Sequence, residues 1–451
     1  MWEYYSGKVL FVTGASGFLG TALAYRIISQ APVAHLYLLC RGGLPRLEEV
    51  WRQYLPPKYI ECLYDPELVT VIPGDILEPN LGIDVDHLQA LYERVNIVIH
   101  AASSIKLMTT LKKLAKPVIH GSENVAQFAF QCQRLDRFVY VSTAYVNAFL
   151  YQESDDTDPY VKETIYPLGR GWISDVRDEW KQVQREGDSP EYAAHNFPWP
   201  AAGRADQLLI LRPSVIAPAQ TFPYQGFSVP KSTPTTMLAA CFILTPTLVA
   251  RLASRAKDPE TESTIDEVPV DVVVDRLLVH LAKGTTGPVH AVGGTRARYT
   301  FQAFWAQAMT LRKFPWPLRK QWLDVDWRSS LLNPIARVYV IYAASYRFSE
   351  AKTIGLWESL SERERSELQF FTSASGNKVD LAARAEQIRF VAEQFAAKGL
   401  LSWILFWFFI PRDSSDVACL NEPMILPIGA ISRANSANSA PVSQQDLSEG
   451  P

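Results

Sequence analysis

Thr13-Gly14-Ala15-Ser16-Gly17-Phe18-Leu19-Gly20 follows directly on the apolar run Val9-Leu10-Phe11-Val12. The run reads as a buried strand, and Leu19, Leu23, Ala24 and Ile27 behind it read as the inward stripe of a helix. A strand that enters a glycine turn and leaves as a helix is how a dinucleotide pyrophosphate is held. Small residues bring the backbone close to the phosphates, and the first-turn N–H groups point at the anion. The spacing is G-x-x-G-x-x-G rather than G-x-G-x-x-G. Glycine turns also join strands to helices for structural reasons alone, so the strand–turn–helix context carries the assignment. Gly14, Ala15, Ser16, Gly17, Phe18 and Leu19 are the expected cradle.

The surrounding sequence extends this pattern. Apolar strand-length runs recur at residues 8–13, 35–40, 68–73, 96–101 and 137–142, and again at 208–212 and 287–292. Helical patterns fill the gaps between the first five, notably residues 122–133. Near-continuous apolar strands alternating with helices predict an α/β fold, a Rossmann-like doubly wound parallel sheet covered on both faces. On this reading residues 1–295 form the nucleotide-binding domain, with a polar insertion at about 150–200. Residues 300–410 form a separate, mostly helical C-terminal region, for example at 379–395. Residues 411–451 are rich in Ser, Ala, Asn and Pro and are expected to be a disordered tail.

Composition bounds the class. The chain has 451 residues, 48% hydrophobic and 20% charged, which suits globular domains with a large core. A net charge of −3 argues against nucleic acid as a partner. Cys40, Cys62, Cys132, Cys241 and Cys419 are odd in number and show no metal-ligand spacing, so free thiols and no metal are expected. Met1-Trp2-Glu3-Tyr4-Tyr5 lacks the basic start of a signal peptide, which points to the cytoplasm. The segment from Leu400 to Ile410 is very apolar, but its eleven residues fall short of the roughly 20 that span a bilayer. It reads as a buried helix or as a contact with the surface of an intracellular membrane.

Further site residues sit at the predicted strand ends. Arg41 and Gly42 follow the second strand, which faces the adenosine ribose. An arginine there accommodates the 2′-phosphate of NADP, where an acidic residue would bind the 2′-hydroxyl of NAD. Arg41 could instead be an ordinary surface charge, but beside the glycine turn the NADP reading is preferred. Gly74-Asp75-Ile76 closes the third strand, where a carboxylate can accept the adenine amino group. His100-Ala101-Ala102-Ser103 closes the fourth. The alanines let the backbone run close to the nicotinamide ribose, and His100 reads as a core histidine.

These pieces together resemble the extended short-chain dehydrogenase/reductase superfamily, and within it the fatty acyl-CoA reductase branch, the male-sterility NAD-binding domain. The matching stretches are residues 13–20, 74–81, 99–103, 140–147 (Tyr-Val-Ser-Thr-Ala-Tyr-Val-Asn), 211–214 (Leu-Arg-Pro-Ser) and 265–272, in the family's order. The resemblance implies NADP(H) as cofactor and an acyl thioester, on CoA or a carrier protein, as substrate, reduced to aldehyde or alcohol. It also places Ser142, Pro213 and Ser214 at the cofactor. It implies a Ser/Thr–Tyr–Lys constellation, in which tyrosine moves the proton, lysine lowers its pKa and holds the ribose, and a hydroxyl orients the substrate oxygen. Thr143 matches the hydroxyl.

The tyrosine and lysine are not found. They must sit at i and i+4 on a helix between the insertion and the strand at 208–212. That interval reads Phe197-Pro198-Trp199-Pro200-Ala201-Ala202-Gly203-Arg204-Ala205-Asp206, with six residues between Pro200 and Gln207. A crossover between parallel strands takes at least about 10–12. Tyr192 has Asn196 at i+4, and the pairs Tyr4/Lys8 and Tyr54/Lys58 lie elsewhere. A segment of about 20–30 residues is therefore missing after Pro200, judged from helix length, and one sheet face is expected to lose its cover. Tyr166 and Tyr192 are the substitutes the insertion offers. Three functions fit: an NADPH-dependent acyl-thioester reductase with impaired turnover; an inactive NADP-binding regulator or scaffold; or another extended-superfamily reaction, ketone reduction or epimerisation.

Overall fold

The computed structural model describes residues 1–103, 113, 115–147, 150–151, 156–166, 205–254, 256–325, 329–332, 336–337, 339, 344–373 and 380–396. Seven strands form the central sheet: β1 (Val9–Thr13), β2 (His35–Cys40), β3 (Val69–Pro73), β4 (Ile97–His100), β5 (Arg137–Val141), β6 (Leu208–Pro213) and β7 (Gly287–Ala291). Their order is β3-β2-β1-β4-β5-β6-β7, and every neighbouring pair is parallel. The sequence of crossovers reverses between β1 and β4, and crevices that hold ligands form at such a point.

Alternation along each strand divides two apolar layers. Leu10, Val12, Leu36, Leu38, Ile97 and Ile99 face the helices α1 (Phe18–Gln30) and, later in the chain, Val270–Ala282. Phe11, Leu39, Val98, Phe138 and Ile210 face α2 (Val85–Arg94) and α3 (Gly121–Gln131). The sheet is buried on both sides, which is why its strands carry few polar residues. The expected strands hold to within a residue at each end. Ala101 and Ser142 fall just outside their ladders, and Pro213 completes β6.

Two expectations differ from the structure. First, the face of β6 that was to lose its cover is buried: Leu208 is 7% exposed and Ile210 6%. Second, the region after residue 300 does not stand apart. Met1–Pro411 forms one compact unit, and Arg412–Pro451, the other, lies outside the described residues. Short parallel pairs tie the later chain to the earlier: Arg347–Phe348 beside Tyr160–Val161, and Arg319–Leu323 beside Val249–Ala253. The helix Val270–Ala282, here α4, carries the main connection. Its Arg276 is fully buried and donates to Glu350 Oε1 at 2.8 Å and to the Phe370 carbonyl at 2.9 Å. Arg296 donates to both oxygens of Glu350 at 2.6 and 2.7 Å. On the same helix Asp275 accepts from Arg26 of α1 at 2.8 and 3.0 Å, and from the Gln369 N–H at 2.7 Å. Charges this deeply buried are stable only when paired, so the later chain completes the nucleotide-binding half. The helix expected at 379–395 spans Ala385–Ala396. Most of the insertion, the gap after Pro200, and the segment from Leu400 to Ile410 fall outside the described residues.

Candidate functional site

The glycine turn and the end of β4 meet at the switch point. Gly14 has φ +85°, and a Cβ there would lie 2.8 Å from Ala101 C and Ala102 N. Only glycine allows this approach. A Cβ on Gly20 would fall 2.0 Å from the Gly14 carbonyl oxygen, so the third glycine lets α1 close over the turn. Gly17 N–H donates to the Gly14 carbonyl at 2.8 Å. The Ala15 carbonyl accepts from Thr21 Oγ1 and from Trp51 Nε1, each at 3.0 Å. Trp51 is fully buried, and nothing in the sequence marked it as part of the turn. Ser16 and Gly17 are exposed at the tip, while Ala15, Phe18 and Leu19 are buried beneath it. No side chain caps α1, so its first N–H groups are available to an anion.

A buried chain of hydrogen bonds fixes the β4 side. Ala102 N–H donates to Thr13 Oγ1 at 3.3 Å, and Thr13 Oγ1 lies 2.8 Å from His100 Nδ1. His100 Nε2 lies 3.1 Å from Ser122 Oγ, which donates to the Val118 carbonyl at 2.6 Å. One direction satisfies every group: Thr13 donates to Nδ1, and Nε2 carries the ring proton. Burial pushes the His100 pKa down to about 4, so the ring is neutral. His100 is the core histidine that was expected. Ala101 and Ala102 are half-buried and Ser103 is exposed.

On the adenosine side, Arg41 is exposed directly after β2, and Gly42 and Gly43 follow with φ +80° and +66°. Arg46 was missed in the sequence because it lies on the helix beyond the turn. Its Cβ is 3.0 Å from where a Gly42 side chain would begin, and it pairs with Glu49. Burial raises the pKa of the Cys40 thiol at this strand end, against the opposing pull of Ser16, Arg46 and Arg41. Asp75 is half-buried, and its Oδ1 accepts from Leu77 N–H at 3.0 Å. Asn124 of α3 donates to the Ile76 carbonyl at 2.8 Å and pins this loop. Asn80, Leu81 and Gly82 all have φ between +51° and +63°. That left-handed turn brings the Leu81 carbonyl within 2.8 Å of the Asp75 N–H.

At the end of β5, Ser142 N–H donates to the Leu211 carbonyl at 2.7 Å. Thr143 is exposed, and its Oγ1 accepts from Tyr145 N–H at 3.3 Å, which leaves its own proton to donate. Pro213 and Ser214 are buried beside β7, with Ser214 N–H donating to the Ala291 carbonyl at 3.1 Å. Tyr145 is packed edge-on against Phe348, and burial raises its pKa well above the ordinary value. Tyr166 accepts from Lys162 N–H at 2.8 Å and packs on the cluster around Ala144 and Val161. Tyr192 lies outside the described residues. Flanking the gap, Gln207 Oε1 and Arg212 Nε are buried without hydrogen-bond partners among the described residues. Burial lowers the Arg212 pKa to about 10. Cys40, Cys62, Cys132 and Cys241 are free, and no metal cluster occurs among the described residues.

Fold and crevice together define a dinucleotide-binding α/β protein of the doubly wound class, and the Gly14 cradle fits a nicotinamide dinucleotide. The chain belongs to the male sterility protein family, whose model matches residues 12–277. It is similar to fatty acyl-CoA reductase 1 of Gallus gallus, 26% identical over 297 residues that cover 61% of this chain and 55% of that protein. Fatty acyl-CoA reductase wat of Drosophila melanogaster is 29% identical over 154 residues, 33% of this chain and 30% of that one. The chain thus spans at most about half the length of these relatives. Among solved structures, the terminal R domain of the myxalamid PKS-NRPS pathway shares the fold. Its TM-score is 0.56 at 16% identity, over 86% of this chain and 91% of that one. The family is one of oxidoreductases. Among the described residues no helix is long and apolar enough to cross a membrane.

Proposed function

We propose that this chain binds NADPH and belongs to the reduction of thioester-bound acyl chains, with turnover limited by the absent tyrosine and lysine. The observation that carries the reading is Gly14 held against the Ala101–Ala102 backbone, with Thr143 exposed at the neighbouring strand end. Bound NADPH would supply a hydride. The chain's own residues would do the rest. The α1 N-terminus would hold the pyrophosphate. Arg41, with Arg46 beside it, would meet the 2′-phosphate. Asp75 would accept the adenine amino group, and Thr143 would donate to the substrate carbonyl oxygen.

A non-catalytic NADP-binding role is the second reading, favoured by the missing Tyr-x-x-x-Lys pair. Two measurements separate them: fluorescence titration with NADPH, and NADPH oxidation in the presence of a long-chain acyl-CoA. Tight binding with slow oxidation supports the first reading; binding with none, even after a Tyr-x-x-x-Lys helix is restored, supports the second.

A further inference from the structure

An exposed apolar tip lies outside the site already described. Residues 245–249 link the helix Pro234–Leu244 to the strand Val249–Ala253. Leu248 is 59% exposed and Val249 42%, and Leu331, which lines the same shallow hollow, is 54% exposed. The turn is held rigidly rather than left loose. Arg312 donates to the carbonyls of Phe242, Ile243 and Thr245, and Trp316 Nε1 donates to that of Pro246 at 3.0 Å. Arg319 N–H donates to the Leu248 carbonyl at 2.8 Å, which sets the second strand beside the tip. Exposed cations flank it. Arg251 and Arg319 lie on the outward face of the strand pair, and Lys313 lies between Arg312 and Trp316. None of the three has an ion-pair partner among the described residues. Lys320, on the inward face, is paired with Glu260, and the exposed Asp324 lies beyond the far end of the strand.

We propose that this tip docks on an anionic lipid surface, with Leu248, Val249 and Leu331 entering the acyl boundary and Arg251, Lys313 and Arg319 meeting the headgroup phosphates. Charge complementarity decides the occupant. Apolar side chains at a rigid turn, an indole at the rim and long cations around them match the layers of a membrane interface. The inference does not depend on the catalytic reading.

The test is sedimentation of the full chain with vesicles of phosphatidylcholine, alone or mixed with phosphatidylserine. Binding is expected to need phosphatidylserine and to weaken with salt. Leu248→Asp/Leu331→Asp should abolish it. Arg251→Gln/Arg319→Gln should weaken it by about ten-fold or more, since each cation contributes about five-fold. Val85→Asp, at an exposed apolar residue (78%) elsewhere, should change nothing. All four positions in the tip variants are exposed, so they should unfold at the same urea concentration as the parent chain. Unchanged binding by both tip variants would assign any membrane contact to residues 400–410 and overturn the proposal. So would capture of an acidic carrier protein by the tip in the absence of vesicle binding.

Discussion

Gly14 carries more of the site than any other residue. Its φ of +85° and the 2.8 Å approach to the Ala101–Ala102 peptide exclude a side chain on two separate grounds. Gly14→Ala should therefore lose nucleotide binding outright and cost about 1–3 kcal/mol of stability from the backbone conformation alone. Titration with NADPH and urea unfolding of the same sample measure both effects, and retained binding would contradict the cradle. Arg41 makes a different kind of contribution. If it meets the 2′-phosphate, NADPH should bind about ten- to a hundred-fold more tightly than NADH. Arg41→Ala should remove most of that preference while leaving NADH affinity unchanged. Equal affinities in the parent chain would make Arg41 an ordinary surface charge. These residues could be read in the sequence because each depends on a short local pattern. Trp51 and Arg46 could not, because what places them is the packing of a later helix onto the turn.

At the scale of elements, the seven sheet strands were legible because burial on both faces makes each a continuous apolar run. The two-residue strands Tyr160–Val161 and Arg347–Phe348 have no room for a period, and their pairing joins segments far apart in the chain. The attachment of the later chain was hidden for a related reason. A fully buried arginine in α4 looks, in sequence, like a polar residue on an amphipathic helix. Glu350→Ala tests this attachment. It would leave Arg276 buried and unpaired, a loss of about 3–5 kcal/mol. Urea unfolding would show it, and limited proteolysis should then cut within residues 344–373. A change below about 1 kcal/mol would mean that the ion pairs are incidental to the packing.

For the whole molecule, three of the buried histidines, His100, His280 and His290, make stability respond to acid. Burial lowers the pKa of His100 and His290 to about 4 and of His280 to about 3. The unfolded chain takes up these protons near pH 6.5. Below that pH the unfolded state binds more protons, so the stability present at neutral pH is lost as the pH falls towards 4. Asp275, raised to about 6 by burial against the pull of Arg26, works in the opposite direction, and so do Glu163 and Asp266, which burial also raises. The net loss should show first between pH 7 and 6, where the unfolded histidines take up protons before most of the carboxylates do. A urea midpoint no lower at pH 6 than at pH 7 would refute it. Catalysis also belongs to this scale, because the proposed reaction calls for a Tyr-x-x-x-Lys pair ahead of β6, and residues 142–207 contain none. A Tyr-x-x-x-Lys helix inserted after Pro200 should raise NADPH oxidation with a long-chain acyl-CoA by about 10²–10⁴-fold. Robust turnover by the unmodified chain would instead point to another acid, with Tyr166 and Tyr192 examined first.

The pairing of Arg276 with Glu350 also has a meaning in time. The two residues are separated by 74 positions, and the chain reaches the ribosome exit in order. At a synthesis rate of about 5–20 residues per second, the guanidinium waits roughly 4–15 seconds for its carboxylate. Throughout that interval the nucleotide-binding half is nearly whole, yet the last turns of α4 must stay in water or in the hands of a chaperone. A chain cut at residue 277, where the family match ends, would be held at that moment indefinitely.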